Sequence, residues 1–226
     1  VSVKTYKGSI TVRPGNGTQV EITARVEPDG DDSDMARKVA DTEIRFASGD
    51  GYVEVESDYG KVKNGFRFFS WGNDGTLPFV HYTITMPRSA KLRIEDYKSR
   101  ISVEGIAGAL KLETYKGTGK LSGFEDRVDI ETYKGDLEVT MARLSANLEL
   151  ETYKGRIAVT VPRKAGFRLD ADTGRSGEVR GDFEFASRSS SRSSRRRDHD
   201  DRVSGEVNGG GPEIRFSTYK GELELK

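Results

Sequence analysis

The side chains with the most chemical potential recur in fixed company. Thr5-Tyr6-Lys7-Gly8, Asp96-Tyr97-Lys98-Ser99, Thr114-Tyr115-Lys116-Gly117, Thr132-Tyr133-Lys134-Gly135, Thr152-Tyr153-Lys154-Gly155 and Thr218-Tyr219-Lys220-Gly221 are variants of one word, and Asp58-Tyr59-Gly60 and Asp172-Thr173-Gly174 are decayed copies. If Tyr97, Tyr115, Tyr133 and Tyr153 share a corner, they form an aromatic strip whose faces could bind sugar rings or a partner strand. The plainer alternative is that the stacked rings stabilise the corner and cover lysine stems. Beside them Lys98, Lys116, Lys134 and Lys154 form a basic row, and Asp96, Glu113, Glu131 and Glu151 an acidic one. Carboxyl groups about 5–5.5 Å apart are what a retaining glycosidase needs, and neighbouring strands approach that spacing. Yet every copy shows the same pair, so no one site is distinguished, and nearby lysines favour ionised carboxylates. No catalytic residue is assigned.

Other constellations are weaker. Arg188, Arg192, Arg195, Arg196 and Arg197 lie in a Ser/Arg run that continues through Asp198-His199-Asp200-Asp201 to Arg202. A mobile basic arm of this kind could hold phosphates or sulfated and uronic polymers. It carries no aromatic interleaving, so nucleic-acid reading is not expected. Asp29-Gly30-Asp31-Asp32-Ser33-Asp34 resembles a calcium loop only faintly, because the glycine is misplaced and Ala40 stands where a bidentate Glu belongs. An acidic turn and helix cap explains it better. His81 and His199 are the only two histidines, and neither a triad nor a metal site is expected from them. The run Phe66-Arg67-Phe68-Phe69-Ser70-Trp71 reads as a buried cap. No cofactor and no metal is expected.

Glycine-bearing turns between alternating runs define the elements. Leu148-Glu149-Leu150-Glu151-Thr152 and Arg156-Ile157-Ala158-Val159-Thr160 alternate apolar and polar residues on either side of one word, as two half-buried strands around a turn do. Leu110, Leu112, Leu137, Val139, Leu148, Leu150, Ile157 and Val159 should point inward, and Lys111, Glu113, Glu138, Glu149, Glu151 and Arg156 outward. The turn glycine is expected for its access to positive φ. The tyrosines step by 18, 18 and 20 residues from Tyr97 to Tyr153, and Gly174 follows 21 residues on. Such units are too short for a βαβ crossover. Antiparallel hairpins in a sandwich remain open, but the constant phase favours an all-β parallel β-helix or β-solenoid with 18–21-residue coils, each strand pairing with its copy in the next.

Residues 1–90 should be an N-terminal region of less regular strands, at about 9–12, 19–26, 43–47, 52–56 and 80–86. One short helix, capped by Asp32 or Ser33 and running to about Ala40, is placed there to cap the solenoid. Residues 91–185 should be regular coils, 186–212 a disordered Arg/Ser/Gly insert and 213–226 the final coil, all within one continuous domain. Composition bounds the function. The 226 residues carry 37 Lys+Arg against 37 Asp+Glu, no Cys, and 34% hydrophobic residues. Zero net charge excludes bulk attraction to nucleic acid or membrane, and the lack of Cys excludes disulfides and thiol chemistry. No apolar run reaches the ~18 residues of a membrane span.

Two segments repeat a strand–Pro–spacer–strand form: Thr83-Ile84-Thr85-Met86-Pro87 leading to Leu92-Arg93-Ile94 and Ile101-Ser102-Val103, and Val159-Thr160-Val161-Pro162 leading to Phe167-Arg168-Leu169 and Gly177-Glu178-Val179. With Gly209-Gly210-Gly211 before the last strand pair, they resemble bacterial putative-adhesin domains of the β-strand-repeat type, over nearly the whole chain. That resemblance implies a right-handed parallel β-helix-like domain, exported or attached to the cell envelope, and brings no catalytic residues with it. The expected function is therefore a non-enzymatic, adhesin-like structural or interaction module. It would be periplasmic or surface-located, with its signal sequence removed, and would meet envelope polysaccharide or another envelope protein. A polysaccharide-active enzyme is the first alternative. The second is a self-associating scaffold, a homo-oligomer joined through coil ends with Leu223-Glu224-Leu225-Lys226 as an open strand.

Overall fold

A computed structural model describes residues 1–31, 33–62, 76–183 and 202–226. The N-terminal part contains β1 (Ser2–Gly15), β2 (Glu21–Glu27), the single described helix α1 (Met35–Asp41), β3 (Glu43–Gly49), β4 (Tyr52–Asp58) and β5 (Phe79–Pro87). The repeats follow as β6 (Leu92–Val103), β7 (Leu110–Thr114), β8 (Thr118–Phe124), β9 (Val128–Thr132), β10 (Asp136–Met141), β11 (Leu148–Thr152) and β12 (Arg156–Thr160). The remainder is β13 (Phe167–Asp172), β14 (Glu178–Gly181), β15 (Arg202–Val207), β16 (Glu213–Thr218) and β17 (Glu222–Leu225).

These strands form two parallel ladders facing each other across one core, a solenoid-like arrangement. The first runs β4, β1, β6, β7, β9, β11, β16, β13. The second runs β5, β1, β6, β8, β10, β12, β17, β14. The long strands β1 and β6 turn the corner and belong to both. Register follows the repeat: Leu92 pairs with Leu110, Leu110 with Val128, and Val128 with Leu148. Strict alternation produces the core, since every second side chain of each strand faces the other ladder. Ile94, Leu112, Ile130, Leu150 and Phe216 meet Ile101, Leu121, Val139, Val159 and Leu225 there, each at most 2% exposed. All eight predicted inward residues are buried.

Chain order and spatial order part at both ends. β1 lies between β4/β5 and β6, and β16/β17 lie between β11/β12 and β13/β14. The expectation of an open C-terminal strand is thereby corrected, because β17 pairs with β12 on one side and β14 on the other. Residues 202–207, expected within the disordered insert, form β15, antiparallel to β13. The opposite end is finished by antiparallel strands too, β3 on β4 and β2 on β5. Strands thus do the finishing that had been expected of the helix. α1 starts with Asp34 at its N-cap, which makes no side-chain cap bond, rather than with Ser33. Asp32, the run 66–71, and Arg188, Arg192, Arg195, Arg196 and Arg197 lie outside the described residues.

Candidate functional site

The Thr-Tyr-Lys-Gly word is a corner whose parts have separate tasks. The threonine ends an inward-facing register, so Thr114, Thr132, Thr152 and Thr218 are buried polar groups needing partners. Each Oγ1 accepts the backbone N–H of the glycine three residues on, at 2.8 Å for Gly117, 2.9 Å for Gly135, 2.8 Å for Gly155 and 2.6 Å for Gly221. The coil-to-coil ladder continues through the turn, where Lys116, Lys134, Lys154 and Lys220 donate their N–H to the carbonyls of Tyr97, Tyr115, Tyr133 and Tyr153 at 2.8–3.0 Å. The glycine requirement has a different cause from the one expected. None of Gly117, Gly135, Gly155 and Gly221 has positive φ. Instead a Cβ at Gly135 or Gly155 would overlap the carbonyl oxygen of the preceding coil's glycine, and one at Gly221 would lie 2.5 Å from the Gly155 oxygen. Close coil approach, not turn conformation, selects glycine.

One copy departs from the word. Asp96 replaces threonine and Ser99 replaces glycine; the carboxylate accepts the Ser99 N–H at 2.8 Å and the Thr114 hydroxyl at 2.9 Å. Burial pushes the Asp96 carboxyl up to about 6 despite these bonds. The expected acidic row holds at Glu113, Glu131 and Glu151 and departs only at its Asp96 end. Asp96 pairs with Thr114 inside the corner, whereas Glu95 pairs with Glu113, Glu113 with Glu131, and Glu131 with Glu151 outside it. Burial, and after it Glu151 and Glu113, raise the Glu131 carboxyl, with Lys111 opposing.

The four predicted tyrosines do form one strip, and it is longer than predicted. Tyr6, Tyr97, Tyr115, Tyr133, Tyr153 and Tyr219 stack in that order with centroids 4.5, 5.0, 4.6, 4.7 and 5.1 Å apart and planes within 8°. Tyr59 closes the Tyr6 end edge-on at 6.3 Å. Tyr6 and Tyr219 belong to the same repeated word, so the signal for them was present. What the spacing hid was which coil lies next to which: Tyr219, not Gly174, follows Tyr153. Internal ring faces are occupied by neighbouring rings, so a sugar cannot stack on Tyr97, Tyr115, Tyr133 or Tyr153, each of which is half-buried. Burial, and then Tyr133 and Tyr97, raise the Tyr115 phenol.

The basic row is also assembled. Lys98, Lys116, Lys134, Lys154 and Lys220 are exposed on consecutive coils. Four of them hold their Nζ 5.4 Å from the centroid of their own word's tyrosine. None of the five forms an ion pair among the described residues, whereas the acidic and basic side chains of the sheet faces pair extensively, as in Arg93 with Glu95 and Lys120 with Glu138. Lys7 is the exception at the row's end: it is buried, paired with Asp29 and 4.5 Å over Phe79. That pairing also turns Asp29 of the acidic turn toward a cation. Arg202 is anchored at 2.7 Å by both Nε and Nη2 to Asp170, whose carboxyl it lowers.

One arrangement had no sequence signal. Ser9, His81 and Glu27 come from three different strands, and only pairing β1 with β5 and β5 with β2 joins them. Ser9 Oγ is hydrogen-bonded to His81 Nδ1 at 2.8 Å, and His81 Nε2 lies 3.0 Å from Glu27 Oε2 without hydrogen-bond alignment. The trio lies on the sheet's outer face, and β1 is paired on both sides there, so the backbone N–H groups around Ser9 are committed to the ladders. An acyl-transfer site would need such donors free for an oxyanion.

Among the described residues no helix is long and apolar enough to cross a membrane. No curated protein matches the chain. A solved structure described as a putative cell adhesion protein from Clostridium sporogenes ATCC 15579 is similar in fold, at 13% identity and a TM-score of 0.55, over 100% of this chain and 90% of that one. The model of the Toastrack DUF4097 family matches residues 1–208, and the chain belongs to that family.

Proposed function

We propose that the chain is a non-enzymatic, adhesin-like module of the cell envelope whose Tyr–Lys corner holds a repetitive anionic polymer. The observation that carries this reading is the row of five exposed lysines with no ion pair among the described residues. At the roughly 4.8 Å strand spacing they span about 20 Å. An evolved sheet surface that neutralises its charges elsewhere leaves this line uncompensated, and the stack of rings behind it fixes its pitch. Each exposed contact is weak and screened by salt, but several engage one polymer chain together. A non-enzymatic role is supported by the identical Thr-Tyr-Lys-Gly composition of the corners at 114–117, 132–135, 152–155 and 218–221 and by the committed backbone donors around Ser9. Export to the envelope is part of the proposal.

The direct check is retention on immobilised heparin across a salt gradient. Lys116→Gln/Lys134→Gln/Lys154→Gln should elute at clearly lower salt than the parent chain. Unchanged elution would remove the corner from the function. A second reading, self-association through a coil end, is favoured by β3, which pairs only with β4 among the described residues and exposes 59% of Phe46. Sedimentation should then show a concentration-dependent species that Phe46→Lys abolishes.

A further inference from the structure

The aromatic strip stops one coil before the solenoid does. Asp172 pairs with Ser217 and Glu178 with Glu222, so the five-residue turn Thr173–Gly177 lies beside the four-residue turn Thr218–Gly221, with Gly174 against Thr218 and Tyr219. The buried threonine is kept and the longer turn contains a cation, Arg175, but the ring is missing. Gly174 has φ +53°, and a Cβ there would lie 2.6 Å from the Thr218 oxygen and 3.2 Å from Tyr219 Cα. The position therefore cannot take a ladder tyrosine without rebuilding the turn. Tyr219 in consequence stacks on Tyr153 alone and is 37% exposed, the one strip tyrosine classed with the exposed large apolar side chains. At the other end the corresponding face of Tyr6 is met by Tyr59. Among the described residues the strip thus has a single unmatched face, at the end where Lys220 and Arg175 are exposed and form no ion pair with any described residue.

We infer that the outer face of Tyr219 is a stacking subsite for one acidic pyranose ring, a uronic-acid residue, at the end of the polymer-binding corner. The C–H face of a pyranose is complementary to the electron-rich face of a tyrosine ring. Its carboxylate falls to Lys220 and Arg175, neither of which forms an ion pair among the described residues; the Asp172 carboxylate in the same turn accepts the Gly174 N–H at 3.1 Å. The strip rings lie across the solenoid axis, so a sugar stacked here is turned across the line of the lysine row. A terminal residue can make that turn more readily than an internal one. The subsite consequently reads polymer ends, while the row reads length. This inference rests on the polymer-binding reading and refines it.

The two are separated by titrating trigalacturonic acid and long polygalacturonate into the whole chain by calorimetry. The trimer should bind, and Tyr219→Ala should weaken it several-fold, up to about tenfold. Tyr219→Phe should restore it. Lys116→Gln/Lys134→Gln should weaken the long polymer by a larger factor than the trimer, whereas Tyr219→Ala should weaken the trimer by the larger factor. A trimer that does not bind, or binds Tyr219→Ala equally well, overturns the subsite while lysine-dependent polymer binding leaves the corner standing. Loss of both kinds of binding overturns both. Adenosine monophosphate competing as well as the trimer would overturn the assignment to a sugar.

Discussion

The coils from β7 to β12 and the coils at either end are built from the same word, yet they solve different problems. In the middle, each copy lies on its sequence neighbour, every corner has a threonine inside, a tyrosine in the strip and a glycine where the next coil presses close. At the ends, the chain abandons its own order. β1 is slotted between β5 and β6, and β16/β17 between β12 and β14. Here the word decays: Asp96 and Ser99 stand in for threonine and glycine, and Gly174 for tyrosine. Regular coils are interchangeable neighbours. The coils near the ends meet a unique partner on at least one side, and their substitutions fit that partner.

The strongest way to break this contrast is to remove residues 213–226. The middle would keep its pairing, while β13 and β14 would lose the only parallel neighbours they have among the described residues. Hydrogen exchange should show protection abolished in β13–β15 and largely retained in β7–β10; uniform loss would mean that the two regions form one cooperative unit. Next in size, Gly155→Ala should cost about 4 kcal/mol or prevent folding, since its Cβ meets a backbone oxygen that cannot move aside. Replacing Ser99 by glycine should be far milder, and chemical denaturation distinguishes the pair.

Asp96 sharpens the contrast through pH. Its folded-state value of about 6 lies above the ordinary carboxylate value of 3.8, so the folded protein binds the proton more tightly. Stability contributed by the protonated group is present below pH 4 and is lost as the pH rises to about 6, a difference of roughly 3 kcal/mol. Asp96→Thr, which restores the middle-coil word, should remove that slope and raise the melting temperature at pH 7; an unchanged pH profile would place the titration elsewhere. The smallest effect separates Tyr133 from Tyr219. Alanine at Tyr133 removes two stacked neighbours and at Tyr219 one, so the costs should be about 1–3 and about 0.5–1.5 kcal/mol. Equal costs would show that stacking contributes little.

Much of this architecture is readable from residue types alone. Alternation placed Leu112, Ile130 and Leu150 in the core, and the constant phase of Tyr97, Tyr115, Tyr133 and Tyr153 predicted a shared strip, because both are properties of a local period. The interleaving was not legible. A repeat records that copies are alike, not which copy is adjacent, and Tyr219 fits beside Tyr153 as well as any other tyrosine would. The role of the turn glycines was hidden for a related reason: their constraint comes from a carbonyl one coil away. The Ser9–His81–Glu27 trio lies further still from sequence reasoning, since it draws one residue from each of three strands. The acidic row was misread only at its Asp96 end, where Glu95 is the member, and in a strand one position changes the face.

The slotted position of β16/β17 has a bearing on how the chain is made. Synthesis delivers residues 167–181 well before the strands that will flank them, so the nascent chain has a fully specified middle and a late coil with nowhere to dock. Until residues 213–226 arrive, β11 and β12 present bare hydrogen-bonding edges, and these are of the kind that recruit any extended segment nearby. Docking of β16/β17 is therefore an insertion between coils rather than an addition at an edge, and it seals the stack from within.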